Sequence, residues 1–259
     1  MTAGQLESSR QNTGQPSNYY PLTLDGIRAI LFDLDGTLRH SRPSFNHALF
    51  DFAAEFGVPQ VAEGRRRALR WAHYYFASSP EVIRDSRKYG IDRDAFMTNY
   101  LRRYLVVYGC EPERARRVAP MIYDSMSSRL ETQDCVDPET PETLERLKGA
   151  GFTLGVVSNR EQCFQDLLQT LGLRSFFAFT VAAGEVDSWK PDIGIFQIAL
   201  DRAGSCPTCT VYVGDNYYAD VIGAQRAGLQ PVLLDPEGLF PEAECPVIHT
   251  LAQLQDVVD

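Results

Sequence analysis

Two aspartates one residue apart, Asp33 and Asp35, end an apolar run in FDLDGTL, with Gly36 behind them. A DxD spacing followed by glycine lets the chain turn sharply and bring the second carboxylate back toward the first. Two carboxylates held together repel unless a cation or a proton sits between them. Asp215, in VYVGDN, and Asp220, in the following helical text, arrive from another apolar run. Acidic side chains meeting from two such places form an oxygen-rich site for a hard cation. Mg2+ is the natural occupant, because it needs few carboxylates and keeps its waters. Asp220 also stands near the start of a predicted helix, where a carboxylate serves as an N-terminal cap, so that reading stays open beside the metal. Ser158 follows FTLGVV and Lys190 precedes Pro191 in SWKPD. Taken alone, each is an ordinary polar residue of a strand end or a loop.

The elements that must position these residues alternate along the chain. Residues 29–34, 152–157, 210–213 and 231–234 are short apolar runs that read as strands buried on both faces. Helical patterns cover residues 141–148, 161–171, 193–203 and 220–227, each closed by glycine. Strand and helix in alternation predict an α/β fold, a doubly wound parallel sheet covered on both faces. Ligands of such sheets bind beyond the carboxyl ends of the strands, which is where Asp33, Asp35, Ser158 and Asp215 stand. Residues 41–134 break the rhythm, carrying amphipathic text such as GRRRALRWAHYYFASS and RDAFMTNYLRRYLVVYG without a buried strand. They predict an all-helical insertion, with residues 21–40 and 135–259 as the α/β core. Residues 1–20, rich in Gln, Ser, Asn, Thr and Gly, read as a flexible tail.

Composition narrows the function. The chain has 259 residues, 44% hydrophobic and 23% charged, enough for a large core. Its 25 Lys and Arg against 34 Asp and Glu give a net charge of −9, which repels nucleic-acid backbones and anionic lipid. The helical insertion departs from this, with 15 basic and 12 acidic residues. A slightly basic lid over an acidic core follows, although solvated helix faces carry arginine for blander reasons. No apolar run reaches the roughly 20 residues that cross a bilayer, and no secretory pattern opens the chain, so a cytoplasmic protein is expected. Six cysteines at irregular spacing predict thiols that are mostly reduced and buried. Cys206 and Cys209 have zinc-ligand spacing, but only Cys245 and His249 offer further ligands, so a plain loop leading into a strand is expected. Cys163 reads as a thiol at a helix start. Gly36 stands at the wrong position for an EF-hand, and neither a Walker loop nor a dinucleotide fingerprint occurs.

Four motifs in order, Asp33-Leu34-Asp35-Gly36-Thr37, Ser158 after an apolar strand, Lys190 in SWKPD, and Gly214-Asp215 followed by Asp220, resemble those of the haloacid dehalogenase-like (HAD) superfamily. The resemblance implies a Rossmann-like core and a Mg2+-dependent phosphatase working through an aspartyl-phosphate. It makes Asp33 the nucleophile and Asp35 the general acid and base. Thr37, Ser158, Asn159 and Lys190 would hold the phosphoryl group. Asp33, the main-chain carbonyl of Asp35, and Asp215 would surround Mg2+, with Asp220 a ligand or just behind one. Asp35 must hold a proton when the leaving alcohol departs, which a carboxyl partly desolvated beside other negative charge can do. The dehalogenating branch lacks a second aspartate, so Asp35 favours phosphatase chemistry. Arg160 stands where relatives often carry glycine, and adds a positive contact near the substrate or is a surface arginine.

The insertion resembles a C1-type cap, which implies a small phosphorylated metabolite such as a sugar phosphate, phosphoglycolate or a nucleoside monophosphate. Candidate substrate readers are Arg39, His40 and Arg42 at the hinge, and Trp71, His73, Tyr74 and Tyr75 on a lid helix; singly, the aromatic stripe reads as cap core. A phosphomutase or other phosphotransferase, or a binding protein without turnover, are the alternatives. The sequence sets no oligomeric state.

Overall fold

Ala29–Phe32, four apolar side chains in a row, form strand β1, and all four are fully buried. Burial on both faces is what a central parallel strand requires. The computed structural model describes residues 26–258, so the tail predicted over residues 1–20 lies outside the described residues. β1 pairs in parallel with β4 (Thr153–Ser158) on one side and β6 (Thr210–Gly214) on the other. Outside them lie β5 (Phe179–Ala182), β7 (Gln230–Leu234) and β8 (Val247–Ile248). The order is β5-β4-β1-β6-β7-β8, with every pairing parallel. Strand order reverses at β1, and the carboxyl ends of β1, β4 and β6 open into the crevice that such a switch point creates. β5 and β8 were not among the expected strands. Each is short, and β5 runs directly into a helix without a polar boundary.

Helices α6 (Thr140–Gly149), α7 (Gln165–Thr170), α8 (Ala183–Val186), α9 (Ile193–Ala203), α10 (Ile222–Arg226) and α11 (Leu254–Val258) complete the core. α9 has the predicted bounds. α7 is shorter than predicted because the chain after β4 first forms a loop, tied across to Gly184, whose N–H donates to the Arg160 carbonyl at 3.1 Å. α10 follows a π-helical turn, Tyr217–Val221.

The insertion is helical, as its periodicity requires: α1 (Phe45–Glu55), α2 (Ala62–Phe76), α3 (Pro80–Tyr89), α4 (Arg93–Tyr108) and α5 (Pro112–Arg129). Two short strands, β2 (His40–Arg42) and β3 (Gln133–Cys135), pair antiparallel where the chain leaves and re-enters the core. The interior of the insertion is aromatic, with Tyr75, Tyr100 and Tyr104 fully buried and Trp71 stacked on Tyr100 at 5.7 Å. α2 seats the insertion on the core. Arg70 donates to the Leu239 carbonyl at 3.0 Å and pairs with Glu242, its guanidinium over the Phe240 ring, while Arg66 reaches the Gly238 carbonyl. Part of the insertion's excess of arginine therefore grips a core loop.

The cysteines differ from expectation. Cys206 and Cys209 lie in the loop leading into β6, as expected, but are joined as a disulfide. Of the remaining four, Cys110 and Cys245 are buried, Cys135 is half-buried and Cys163 is exposed. No helix among the described residues is long and apolar enough to cross a membrane.

One polar cluster locks the insertion. Asp85, 3% exposed, accepts from Tyr75 Oη at 3.0 Å, Asn99 Nδ2 at 2.8 Å and Arg103 at 3.0 Å. Removing its carboxylate leaves three donors unmatched. Asp85→Ala is expected to destabilise the protein by about 3 kcal/mol, read from urea unfolding followed by the insertion's tryptophan fluorescence.

Candidate active site

Lys190 sits in the loop before α9, with its main chain fixed from both sides by one side chain. Its N–H donates to Asn159 Oδ1 at 2.7 Å, and Asn159 Nδ2 donates to its carbonyl at 3.0 Å. The amine is thereby aimed under the sheet end, where Lys190 is only 2% exposed. Nζ donates to Asp33 Oδ1 at 2.5 Å and Asp220 Oδ1 at 2.7 Å, and lies 3.0 Å from Tyr212 Oη. Burial pulls the amine down, but Asp220 and Asp33 outweigh it and hold Lys190 well above the usual lysine range.

The carboxylates come from the strand ends. Asp33 follows β1, its N–H donating to the Val213 carbonyl at 2.8 Å, and Asp215 follows β6. Carboxylate oxygens of Asp33, Asp215 and Asp220 all lie within 4.8 Å of one another. Two glycines permit this approach. A Cβ on Gly36, whose φ is +100°, would stand 2.6 Å from Asp215 Cγ, and one on Gly214 2.5 Å from Asp220 Cβ. Burial first, then the neighbouring Asp220, raises Asp33 from an ordinary 3.8 to about 7 against the opposing pull of Lys190. Burial, then Asp33 and Asp220, also raise Asp215 well above the carboxylate range. Three crowded carboxylates facing one amine are the donor set of a hard cation, and the residues fit a divalent ion.

Asp220 does not cap the helix, contrary to the alternative left open. Asn216 does so, its Oδ1 accepting from the N–H groups of Tyr218 and Ala219 at 3.0 Å each. Asp220, 1% exposed, instead turns back to Lys190 and to the Asn216 N–H at 2.9 Å.

Asp35 is placed otherwise than expected. Its carboxylate lies outside the three-carboxylate group, though near enough to help raise Asp33, and accepts from guanidinium groups. Arg160 Nε donates to Oδ2 at 2.7 Å, and Arg160 and Arg39 donate to Oδ1 at 2.8 and 3.0 Å. Two residues expected to bind phosphate also contact other residues of the site. Thr37 is fully buried, and its hydroxyl faces Asp215 Oδ1 at 3.4 Å. Asn159 lines the site, but its amide is engaged by the Lys190 main chain.

Above these groups lies a cavity of about 340 Å³, which Asp33, Asp35, Ser158, Arg160, Lys190, Asp215 and Asp220 line from the core. The insertion supplies Asn46, Ala72, His73 and Phe76. Of the expected substrate readers, only His73 lines this cavity. Burial lowers its imidazole below the usual histidine value, and its Nδ1 has no hydrogen-bond partner. Trp71 and Tyr75 belong to the insertion's core, and Tyr74 bonds to Glu81 at 3.2 Å. At the hinge Arg39 pairs with Asp35 and Asp134, while His40 and Arg42 pair with Asp137. Sequence reading missed Tyr212, Asn216 and Asn46. Tyr212 reads as strand core, and only the Asn directly after Gly214-Asp215 carried a usable signal.

Residues 27–228 match the model of the haloacid dehalogenase-like hydrolases, and the chain belongs to that family. It is 29% identical over 251 residues to a glyceraldehyde 3-phosphate phosphatase of Methanothermobacter thermautotrophicus, covering 90% of this chain and 100% of that protein. It is 30% identical over 213 residues to a ribulose-1,5-bisphosphate 5-phosphatase of Halopiger xanaduensis, covering 80% and 84%. Among solved structures, it is similar to a 2-haloacid dehalogenase from Pseudomonas syringae pv. Tomato, with a TM-score of 0.51, 29% identity and coverage of 90% and 98%.

A carboxyl whose folded value is raised keeps its proton where the unfolded chain has released it, so folding weakens as pH rises between the two values. For Asp33 that window runs from 3.8 to about 7. In EDTA, the melting temperature of the wild type should fall relative to Asp33→Asn across this window. Added Mg2+ should restore more stability at pH 7 than at pH 5, measured by scanning fluorimetry.

Proposed function

We propose that this chain is a Mg2+-dependent phosphatase of small phosphorylated metabolites, with residues 41–134 as its cap. The supporting observation is the contact between Lys190 Nζ and Asp33 beside Asp215 and Asp220, at the mouth of a cavity roofed by the insertion. Lys190 holds Asp33 Oδ1, so Oδ2 is the atom that attacks phosphorus. A phosphate monoester is a dianion, and a carboxylate approaches it only where positive charge offsets the repulsion. Mg2+, held by Asp33, Asp215, the Asp35 carbonyl and either directly or indirectly Asp220, would supply that charge and stabilise the equatorial oxygens. Lys190 supplies a further positive charge, and Ser158, at the end of β4, donates its hydroxyl to a phosphoryl oxygen.

Attack by Asp33 forms its Oδ2–P bond as the P–O bond to the leaving alcohol breaks. Asp35 gives that alkoxide a proton. It then takes one from the water that cleaves the aspartyl-phosphate, releasing inorganic phosphate and regenerating Asp33. The cap residues Phe76 and Ala72 keep bulk water from the cavity during the first step. Asn159 and Thr37 act at one remove, by fixing Lys190 and Asp215.

Small phosphorylated substrates are supported by the likeness to the two phosphatase relatives and by the size of the cavity. Likeness to a dehalogenase shows the common family, but Asp35, which dehalogenation does not use, favours hydrolysis of an ester. Phosphate release across a panel of phosphomonoesters with Mg2+ tests the reading. Asp33→Asn is expected to abolish turnover and Asp35→Asn to slow it about 10²–10⁴-fold. Lys190→Met should raise KM for every ester; wild-type kinetics in that variant would contradict the clamp.

A further inference from the structure

Arg160 follows the Ser158-Asn159 strand end on a loop whose base is fixed. Asn159 is tied to Lys190 by two hydrogen bonds, and the Arg160 carbonyl accepts from the Gly184 N–H at 3.1 Å. A Cβ on Gly184 would stand 2.7 Å from the Glu161 carbonyl carbon, so this loop packs directly on α8. The main chain is held, and the freedom left to Arg160 is in its side chain, 35% exposed and lining the cavity. Among the described residues lining that cavity, only Lys190 and Arg160 are cationic. Lys190 is buried and shared by Asp33 and Asp220, whereas Arg160 has one partner, Asp35. No charged residue of the insertion lines the cavity.

In this arrangement three of the roughly four acceptor sites of Asp35 are taken. Oδ2 accepts from Arg160, and Oδ1 accepts from both Arg160 and Arg39. Turning an oxygen toward a leaving group competes with this fork, because Oδ1 is shared by both guanidinium groups and Oδ2 is held by Arg160. Arg39 keeps Asp134 when Asp35 turns away, but Arg160 keeps nothing. A guanidinium fork so placed matches a carboxylate or phosphate in two parallel bonds.

We propose that Arg160 determines substrate choice by binding a second anionic group, a carboxylate or a second phosphate, on the leaving side of the phosphomonoester. Exchange of Arg160 from Asp35 to that group releases the Asp35 carboxylate. The proposal rests on the phosphatase reading for the placement of the substrate's phosphoryl group, but its test needs no turnover. Phosphonates mimic the ester without reacting. Phosphonoacetate, a propane-1,3-bisphosphonate and ethylphosphonate are titrated calorimetrically, with Mg2+, into wild type, Arg160→Met and Arg160→Lys.

Wild type should bind at least one of the two doubly anionic probes about tenfold tighter than ethylphosphonate, as one charged contact provides. Arg160→Met should reduce that preference below about threefold while still binding ethylphosphonate, and Arg160→Lys should retain part of it. Preference for phosphonoacetate alone assigns a carboxylate, and preference for the bisphosphonate alone assigns a second phosphate. An equal preference in wild type and Arg160→Met, or none in wild type, overturns the proposal. If Arg160→Met fails to fold, Arg160→Gln is judged by the same criterion. Failure of the phosphatase reading would appear separately, as absent phosphate release from the corresponding esters.

Discussion

A lysine amine held away from water between two carboxylates is the constraint around which this molecule is arranged. Burying a charge costs several kcal/mol unless opposite charge and hydrogen bonds replace its hydration. Lys190 meets that condition through Asp33, Asp220 and Tyr212, which arrive from β1, the turn after β6, and β6 itself. Loss of either aspartate would weaken the charge match of the buried amine, and loss of Tyr212 would remove one of its hydrogen bonds. The sheet order brings them together, since β1 lies directly between β4 and β6. With Asp215 added, one amine faces three carboxylates, and the unmatched negative charge is what makes the place fit a divalent cation.

The supporting residues follow from the same need. Gly36 and Gly214 are where Asp215 and Asp220 approach the main chain more closely than a Cβ would allow. Asn159 converts the position of β4 into the position of Lys190, and Asn216 starts the helical turn that carries Asp220 inward. The insertion adds a mostly uncharged roof, seated through α2 on the loop around Phe240. The core therefore supplies the charge, and the insertion supplies shape and exclusion of water.

Much of the core was legible because its signals are local. A run of four apolar residues fully buried as β1, and a helix at Ile193–Ala203 closed by Gly204, are properties of neighbouring letters. Asp33 and Asp215 were legible because a carboxylate at the end of a buried strand has few structural uses. β8 was not, having only two residues, and β5, though as long as β1, was not because Thr180 interrupts its apolar run and it passes straight into α8. Side-chain direction in loops was the harder problem. Thr37 and Asn159 stand next to the site in sequence but turn toward Asp215 and Lys190, which depends on how distant loops cross. The pairing of Arg160 with Asp35 spans 125 positions and has no trace in local text. The Cys206–Cys209 disulfide was missed because composition argued for reduced thiols, whereas the loop's tight turn brings the two sulfurs together.

In the proposed reaction Asp33 is an attacking carboxylate beside a bound cation, with Lys190 opposite. Crystals grown with Mg2+ and beryllium fluoride, which forms a phosphoryl-like group on reactive aspartates, test it most directly. A beryllofluoride group bonded to Asp33 and contacted by Lys190 is expected, with the cation between Asp33 and Asp215. A cation or beryllofluoride group bound elsewhere, with Asp33 bare, would contradict it.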